Sequence, residues 1–307
     1  MDINDIKEIE GSLKNKFNSE ISIEKINSYG EVSNIFKILT KDQKYILKTN
    51  NLSTYENYLK EKWCSDKCKV MGIETPKIIL VDKTQSFAYV VLEYIEGINC
   101  IEIKNDNLKN KIYKHLGILS RNISTISPDK NLGDLKNLQD SKKWFYEDYL
   151  NYEINQTQNK EDYLDLTLNQ RETILKTLYV LKNTSFEFCL CHGDLSLKNA
   201  LYIQAENKII LLDFGSAETQ PKFYFEIMLK WLELNYENSI SIENFNSFVH
   251  GLIGDSYIEW LNQNKNIIKD LALLYVLDKY RWAHDKSAKD WQEKYLNRLY
   301  KVLDLMN

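Results

Sequence analysis

Three side chains stand out by type and spacing. Cys191-His192-Gly193-Asp194-Leu195-Ser196-Leu197-Lys198-Asn199 is followed by the apolar run Ile209-Ile210-Leu211-Leu212, which ends in Asp213-Phe214-Gly215. An Asp–Asn–Asp set offers only hard oxygen donors, which suit Mg²⁺ and not zinc. One carboxylate of the set can stay off the cation and receive a proton. The apolar residues before His192 read as a short strand that delivers Asp194 onto a tight loop. Asp213 closes a second strand, and Phe-Gly permits a sharp turn behind it.

The elements that must position these residues follow from pattern. The first 20 residues read as a helix. Residues 21–49 are rich in β-formers and are broken at Tyr29-Gly30-Glu31 and Thr40-Lys41-Asp42, which predicts three antiparallel strands. Residues 53–71 predict a helix with Ser53 or Thr54 as its N-cap, and Gly72 lies past its end. Strands follow at 77–81 and 87–94. Beyond Gly97 the pattern is helical, at 108–126, 142–153, 168–181, 223–234, 242–252, 267–284 and 291–305. A strand-rich island at 188–212 interrupts it. This is an α+β chain, with a sheet-forming part at 1–95 and a largely helical part at 96–307.

Composition narrows the class. The chain has 307 residues, 43% hydrophobic and 27% charged, with a net charge of −4. That balance excludes disorder and makes a nucleic-acid partner unexpected. No run of about 18 apolar residues is present to span a membrane, and the first residues lack the pattern of a secretory signal. Cys64, Cys68, Cys100, Cys189 and Cys191 are odd in number and match no disulfide framework. They read as reduced, buried thiols of a cytoplasmic protein rather than as a zinc site.

The His-Gly-Asp loop, its Asn five residues on and the later Asp-Phe-Gly resemble the aminoglycoside phosphotransferase and choline kinase superfamily. These are protein-kinase-like phosphotransferases of small molecules. The resemblance is sharp over 191–215, fair over 45–97 and general over the last 90 residues. It implies a bilobal fold, with a nucleotide-binding lobe at 1–95 and a catalytic and substrate-binding lobe at 96–307. It implies ATP or GTP as donor, Mg²⁺ held by Asn199 and Asp213, and Asp194 as the group that takes the acceptor's proton.

Other positions follow from the same resemblance. In Tyr45-Ile46-Leu47-Lys48 the lysine closes the third strand and would reach the nucleotide phosphates. Glu61, in preference to Glu56, would be its partner. The backbone of Glu93 and Ile95 would meet the base of the nucleotide. Ser33 and Asn34, in a loop with one glycine, would face its phosphates. Lys198 stands either free in solvent or against the γ-phosphate, and His192 holds the loop.

The acceptor is expected to be a small-molecule alcohol, foremost an aminoglycoside whose ammonium groups meet Asp255, Glu259, Asp278 and Asp285. The alternatives are choline, a thio-sugar, a macrolide or another metabolite. Choline would draw on the aromatics Tyr224, Trp231, Tyr257, Trp260 and Trp282. A protein kinase fits less well, because no Ala-Pro-Glu follows Asp213 and Gly193 stands where an arginine would pair an activation-loop phosphate. A pseudokinase fits least, since every catalytic position is filled. A monomer or homodimer is expected.

Overall fold

The computed structural model describes residues 3–26, 34–159, 164 and 166–306. By contact the chain forms two compact units, and neither is continuous in sequence. One comprises Met1–Ile112, Lys130–Leu135 and His192–Glu218; the other comprises Tyr113–Asp129, Lys136–Cys191 and Thr219–Asn307.

The first unit opens with α1 (Ile3–Phe17), then β1 (Ser22–Lys25), β2 (Asn34–Leu39) and β3 (Lys44–Asn51). Helix α2 (Tyr55–Val70) follows, then β4 (Ile78–Lys83) and β5 (Phe87–Glu93). The strands form one antiparallel sheet in the order β1-β2-β3-β5-β4. Both of its faces are covered, so β3 alternates between two cores. Leu47 joins Ile9, Leu13, Phe36, Ile38, Tyr89 and Val91 on the α1 side. Ile46 packs with Tyr58, Ala88, Val90 and Leu92 on the α2 side. The two-residue period of a strand therefore sends Lys48, two places beyond Ile46, toward α2.

The capping expectation for α2 does not hold. A 3₁₀ turn, Leu52–Thr54, precedes the helix, and Thr54 makes no side-chain cap. Its hydroxyl donates back to the carbonyl of Asn51 instead. The rest of the unit is a second small sheet of β6 (Ile98–Asn99), β8 (Ala200–Ile203) and β9 (Lys208–Leu211).

The second unit is mainly helical. It holds most of α3 (Asp106–Ile123), then α4 (Leu138–Lys143), α5 (Leu150–Gln158) and α6 (Leu168–Asn183). Strands β7 (Phe188–Cys191) and β10 (Glu218–Pro221) pair with each other. Helices α7 (Tyr224–Leu232), α8 (Ile242–Ile253), α9 (Tyr257–Asp285) and α10 (Lys289–Asp304) close the chain. The helix expected at 267–284 begins ten residues earlier, because the polar stretch through Asn264 and Lys265 carries no breaker; Lys265 faces water and Asn264 accepts from the Tyr224 hydroxyl at 2.5 Å. The segment expected as one helix at 142–153 contains a π-helical stretch, Trp144–Tyr149, between α4 and α5. All five cysteines are buried thiols outside any disulfide. Among the described residues no helix is long and apolar enough to cross a membrane.

Candidate active site

The centre of the site is Lys48. Its ammonium lies 2.9 Å from Glu61 Oε1 and 3.0 Å from Asp213 Oδ1. Glu61 belongs to the buried stripe of α2, with Tyr58, Ser65 and Cys68, whereas Glu56 is exposed on the first turn. Burial alone would lower the Lys48 ammonium, but the charges of Glu61 and Asp213 outweigh it and hold its pKa above the usual lysine range. Burial pushes the Glu61 carboxyl up, with the Lys48 ammonium opposing. Asp213 is the reverse case, since Lys48 lowers its carboxyl to about 2.

Asp213 sits in the left-handed region at φ 57°. A side chain other than glycine costs about 1–2 kcal/mol there, and Asp tolerates it because its carboxylate bonds the backbone two residues on. Here Oδ1 accepts the Gly215 N–H at 3.1 Å. A Cβ at position 215 would stand 2.9 Å from that same oxygen, so the turn admits glycine.

The His-Gly-Asp loop is tied to the Asp213 segment at several points. His192 is buried against Phe214, with ring centroids 4.7 Å apart. The Asp194 N–H donates to His192 Nδ1 at 3.4 Å, and His192 Nε2 donates to the Leu212 carbonyl at 3.0 Å. One neutral tautomer satisfies both contacts. The Leu212 N–H in turn donates to the Asn199 carbonyl at 2.9 Å. Gly193, at φ 79°, passes so close to Ser216 that a Cβ would lie 2.0 Å from its carbonyl oxygen. Close backbone approach therefore accounts for the glycine.

Asn199 orients Asp194. Its Nδ2 donates to the Asp194 carbonyl at 2.8 Å and to Oδ2 at 2.9 Å. Lys198 Nζ stands 3.1 Å from the same Oδ2. With its amide donors spent on Asp194, Asn199 presents its carboxamide oxygen as a ligand. That oxygen and the ionised Asp213 form a hard donor set that fits Mg²⁺. Among the described residues no group of three or more His, Cys, Asp or Glu could hold a metal alone.

These residues border a cavity of about 320 Å³. Ile26, Ile35, Ile46, Leu92 and Leu201 give it apolar walls, while Lys48, Glu61, Asn199, Asp213 and Lys198 give it a charged end. Glu93 and Ile95 line it as well. The Glu93 N–H is already committed to the Lys77 carbonyl at 2.9 Å. Asp194 is not part of the lining and touches it through Asn199 and Lys198. Asn34 opens β2 and is exposed. Ser33 and residues 28–32 of the expected phosphate loop lie outside the described residues.

The acceptor candidates belong to the other unit and do not form one cluster. Asp255, just before α9, pairs with His250 at 3.0 Å, and Glu259 accepts from Gln263 at 3.1 Å. Asp278 and Asp285 lie near the far end of α9. At 1.5 Å of rise per residue, the 19 residues from Glu259 to Asp278 span about 28 Å, too far for one small molecule to bridge all four. Asp278 and Asp285 do share a face, with the exposed Trp282 between them. Asp278 approaches Lys279 at 3.9 Å and Asp285 approaches His284 at 3.6 Å. Burial pushes the Asp278 carboxyl up, against Lys279 and Arg281.

Tyr152 of α5 is electrostatically coupled to both acids, a neighbour that sequence spacing gave no means to find. The buried Arg281–Glu153 pair, at 2.9 Å, ties α9 to α5 beneath them. Four of the five aromatics suggested for a choline cage fall instead into separate pairs, apart from Trp282. Tyr224 packs on Trp260 at 5.1 Å, Tyr257 on His250 at 5.1 Å, and Trp231 on Tyr236 at 5.7 Å.

Comparison with known proteins matches residues 23–224 to the phosphotransferase enzyme family. No curated protein sequence matches the chain significantly. Among solved structures, aminoglycoside phosphotransferase APH(4)-Ia superposes with a TM-score of 0.71 at 13% identity, covering 97% of this chain and 98% of that one. The gentamicin complex of APH(2″)-IIa gives 0.66 at 16% identity, covering 99% and 98%. Choline kinase LicA from Streptococcus pneumoniae gives 0.63 at 18% identity, covering 98% and 99%. The likeness is one of fold, and it bears out the protein-kinase-like α+β architecture.

Proposed function

The chain belongs to the phosphotransferase enzyme family, and on that footing we propose that it moves the γ-phosphoryl group of ATP or GTP to a hydroxyl of a cationic small molecule, foremost an aminoglycoside. The observation that carries the reading is the convergence of Lys48, Glu61, Asn199 and Asp213 on one cavity, with Asp194 bonded to its rim.

The apolar walls around Ile46 and Leu92 take the base. With its N–H spent in the sheet, Glu93 offers its carbonyl to the base edge, and Ile95 offers its N–H. Lys48, fixed by Glu61, binds the α- and β-phosphates. Asn199 and Asp213 would hold Mg²⁺, which would neutralise charge on the phosphate oxygens. Asp194 orients the acceptor hydroxyl and takes its proton as the oxygen attacks phosphorus, the P–O bond to the nucleoside diphosphate breaks, and the diphosphate leaves. Asn199 keeps the Asp194 carboxylate aimed. Lys198 sits between that carboxylate and the cavity, where the transferring group passes.

For the acceptor, the face formed by Asp278, Trp282, Asp285 and Tyr152 supports a polyamine-like alcohol. Two carboxylates beside an aromatic ring attract ammonium groups. A related structure contains ADP and hygromycin B together, and its chain covers this one to 96%. The separated aromatic pairs give choline less support. We place the protein in the cytoplasm, where the nucleotide donor and reduced cysteines coexist.

The test is ADP or GDP release with Mg²⁺ and a panel of aminoglycosides, macrolides, choline and sugars. Stimulation by aminoglycosides, weakening as salt rises, is expected. Stimulation by choline, a macrolide or a sugar alone overturns the acceptor. No turnover with any acceptor, and no nucleotide binding, overturns the phosphotransferase reading.

A further inference from the structure

Lys60 stands next to the site, and the mechanism leaves its charge unused. It is 0% exposed, although lysine is almost never fully buried without a purpose for its ammonium. It neighbours Glu61 on α2 but leaves the helix in a different direction. Its Nζ donates to the carbonyl of Gly215 at 2.6 Å and pairs with the carboxylate of Asp134. Asp134 lies in Lys130–Leu135, a short piece of chain that packs with the first unit, and its side chain is 63% exposed. The Asn57 side chain of α2 accepts the Asp134 N–H at 3.3 Å, which seats that segment on the helix.

These contacts close a circuit. Lys48 binds Glu61 and Asp213. Asp213 Oδ1 accepts the Gly215 N–H, and Lys60 holds the Gly215 carbonyl. Lys60 then returns to Glu61 through one peptide bond. Gly215 is held through both of its flanking peptides, by Asp213 at its N–H and by Lys60 at its carbonyl. A glycine turn with no side chain of its own needs such a grip, since Asp213 holds a left-handed conformation that a free turn would leave.

We propose that Lys60 is a positioning residue for the metal-binding carboxylate. It fixes the Gly215 backbone so that Asp213 is already oriented for Mg²⁺ before the nucleotide arrives, and Asp134 is the counter-ion that keeps its ammonium in place. The inference rests on the reading of Asp213 as a Mg²⁺ ligand. Preorganised ligands bind more tightly because less ordering remains to be done on binding.

The test uses the full chain and a fluorescent ATP analogue, titrated with and without Mg²⁺, in wild type, Lys60→Met and Asp134→Asn. Methionine keeps most of the buried volume and removes the charge. Lys60→Met should raise the Mg²⁺ concentration for half-maximal nucleotide binding about 10-fold, roughly the effect of losing an outer partner of a metal ligand. Metal-free nucleotide binding should stay within about 2-fold of wild type. Asp134→Asn, at an exposed side chain, should shift the Mg²⁺ midpoint in the same direction by a smaller factor. An unshifted midpoint in folded Lys60→Met overturns the proposal. So does an equal loss with and without metal, which is the mark of a merely structural lysine. Should Lys60→Met not fold, an unshifted midpoint in Asp134→Asn overturns it instead. Wild type without any Mg²⁺-dependent binding would overturn the earlier reading of Asp213, a separate result.

Discussion

Replacing Lys48 by methionine removes the cation from a buried pair and leaves Glu61 behind. The Lys48 and Glu61 side chains are 8% and 3% exposed, so water cannot take over, whereas Asp213 at 45% can be solvated. At 2.9 Å and an effective dielectric constant near 20, the attraction that is lost is about 6 kcal/mol. Measured losses from breaking such pairs run to about 3–5 kcal/mol. With about 2–4 °C of Tm per kcal/mol, Lys48→Met should melt roughly 6–20 °C below wild type near neutral pH. Glu61→Gln added to Lys48→Met should recover most of that loss, because two neutral side chains of similar shape replace an orphaned charge. Neither variant should regain phosphoryl transfer.

The pH dependence has a definite sign. Burial raises the folded-state pKa of Glu61, and the ammonium that opposed this is gone in Lys48→Met. A group with a raised folded pKa favours the folded state below its unfolded pKa and disfavours it as pH rises through the folded one. The deficit of Lys48→Met should therefore shrink at pH 5 and grow at pH 8, while the double variant shows no such trend. Scanning calorimetry at the two pH values reads this directly. A single variant as stable as wild type, or a double variant no better than the single, would refute the assignment of a buried, mutually dependent pair.

Three further outcomes are expected. Asp194→Asn should cut phosphoryl transfer by about 10²–10⁴ while nucleotide binding stays within a few-fold of wild type, checked by ADP release against fluorescent-nucleotide titration. Asp213→Ala should weaken nucleotide binding in Mg²⁺ far more than without it; because Lys48 holds the Asp213 carboxyl down to about 2, the wild-type Mg²⁺ dependence should show no acidic limb from this residue above pH 4. Asp270, buried and pushed up to about 6, should make the wild type lose stability as pH rises through 6, and Asp270→Asn should flatten that part of a Tm-against-pH curve.

How much was legible beforehand differs by residue. Asp194, Asn199 and Asp213 were readable because one short stretch and one strand end carry them, at a spacing local structure can satisfy. The alternation of β3 put Lys48 on a definite face, although the strand runs on to Asn51 instead of closing at the lysine. The choice between Glu56 and Glu61 was harder, since both lie on α2, and the orientation of that helix on the sheet decides it by burying one and exposing the other. The missing Thr54 cap is a local contest between two hydrogen bonds, and composition does not say which one wins.

Lys60 illustrates what sequence withholds. In the chain it is one lysine among several on a charged helix, with nothing to separate it from Lys62, which makes an exposed pair with Asp66. Its partners, Asp134 and the Gly215 carbonyl, lie 74 and 155 residues away. Likewise the four acids proposed for the acceptor were equal as letters, yet the rise of α9 separates them into two distant pairs. Sequence by itself determined which groups are present and how they are spaced, because hard oxygen donors and a lysine cation are properties of residue type and short-range spacing. Tertiary structure alone decided which charges are desolvated and which face each other, because burial and long-range contact belong to the packed chain and give these groups most of their energy.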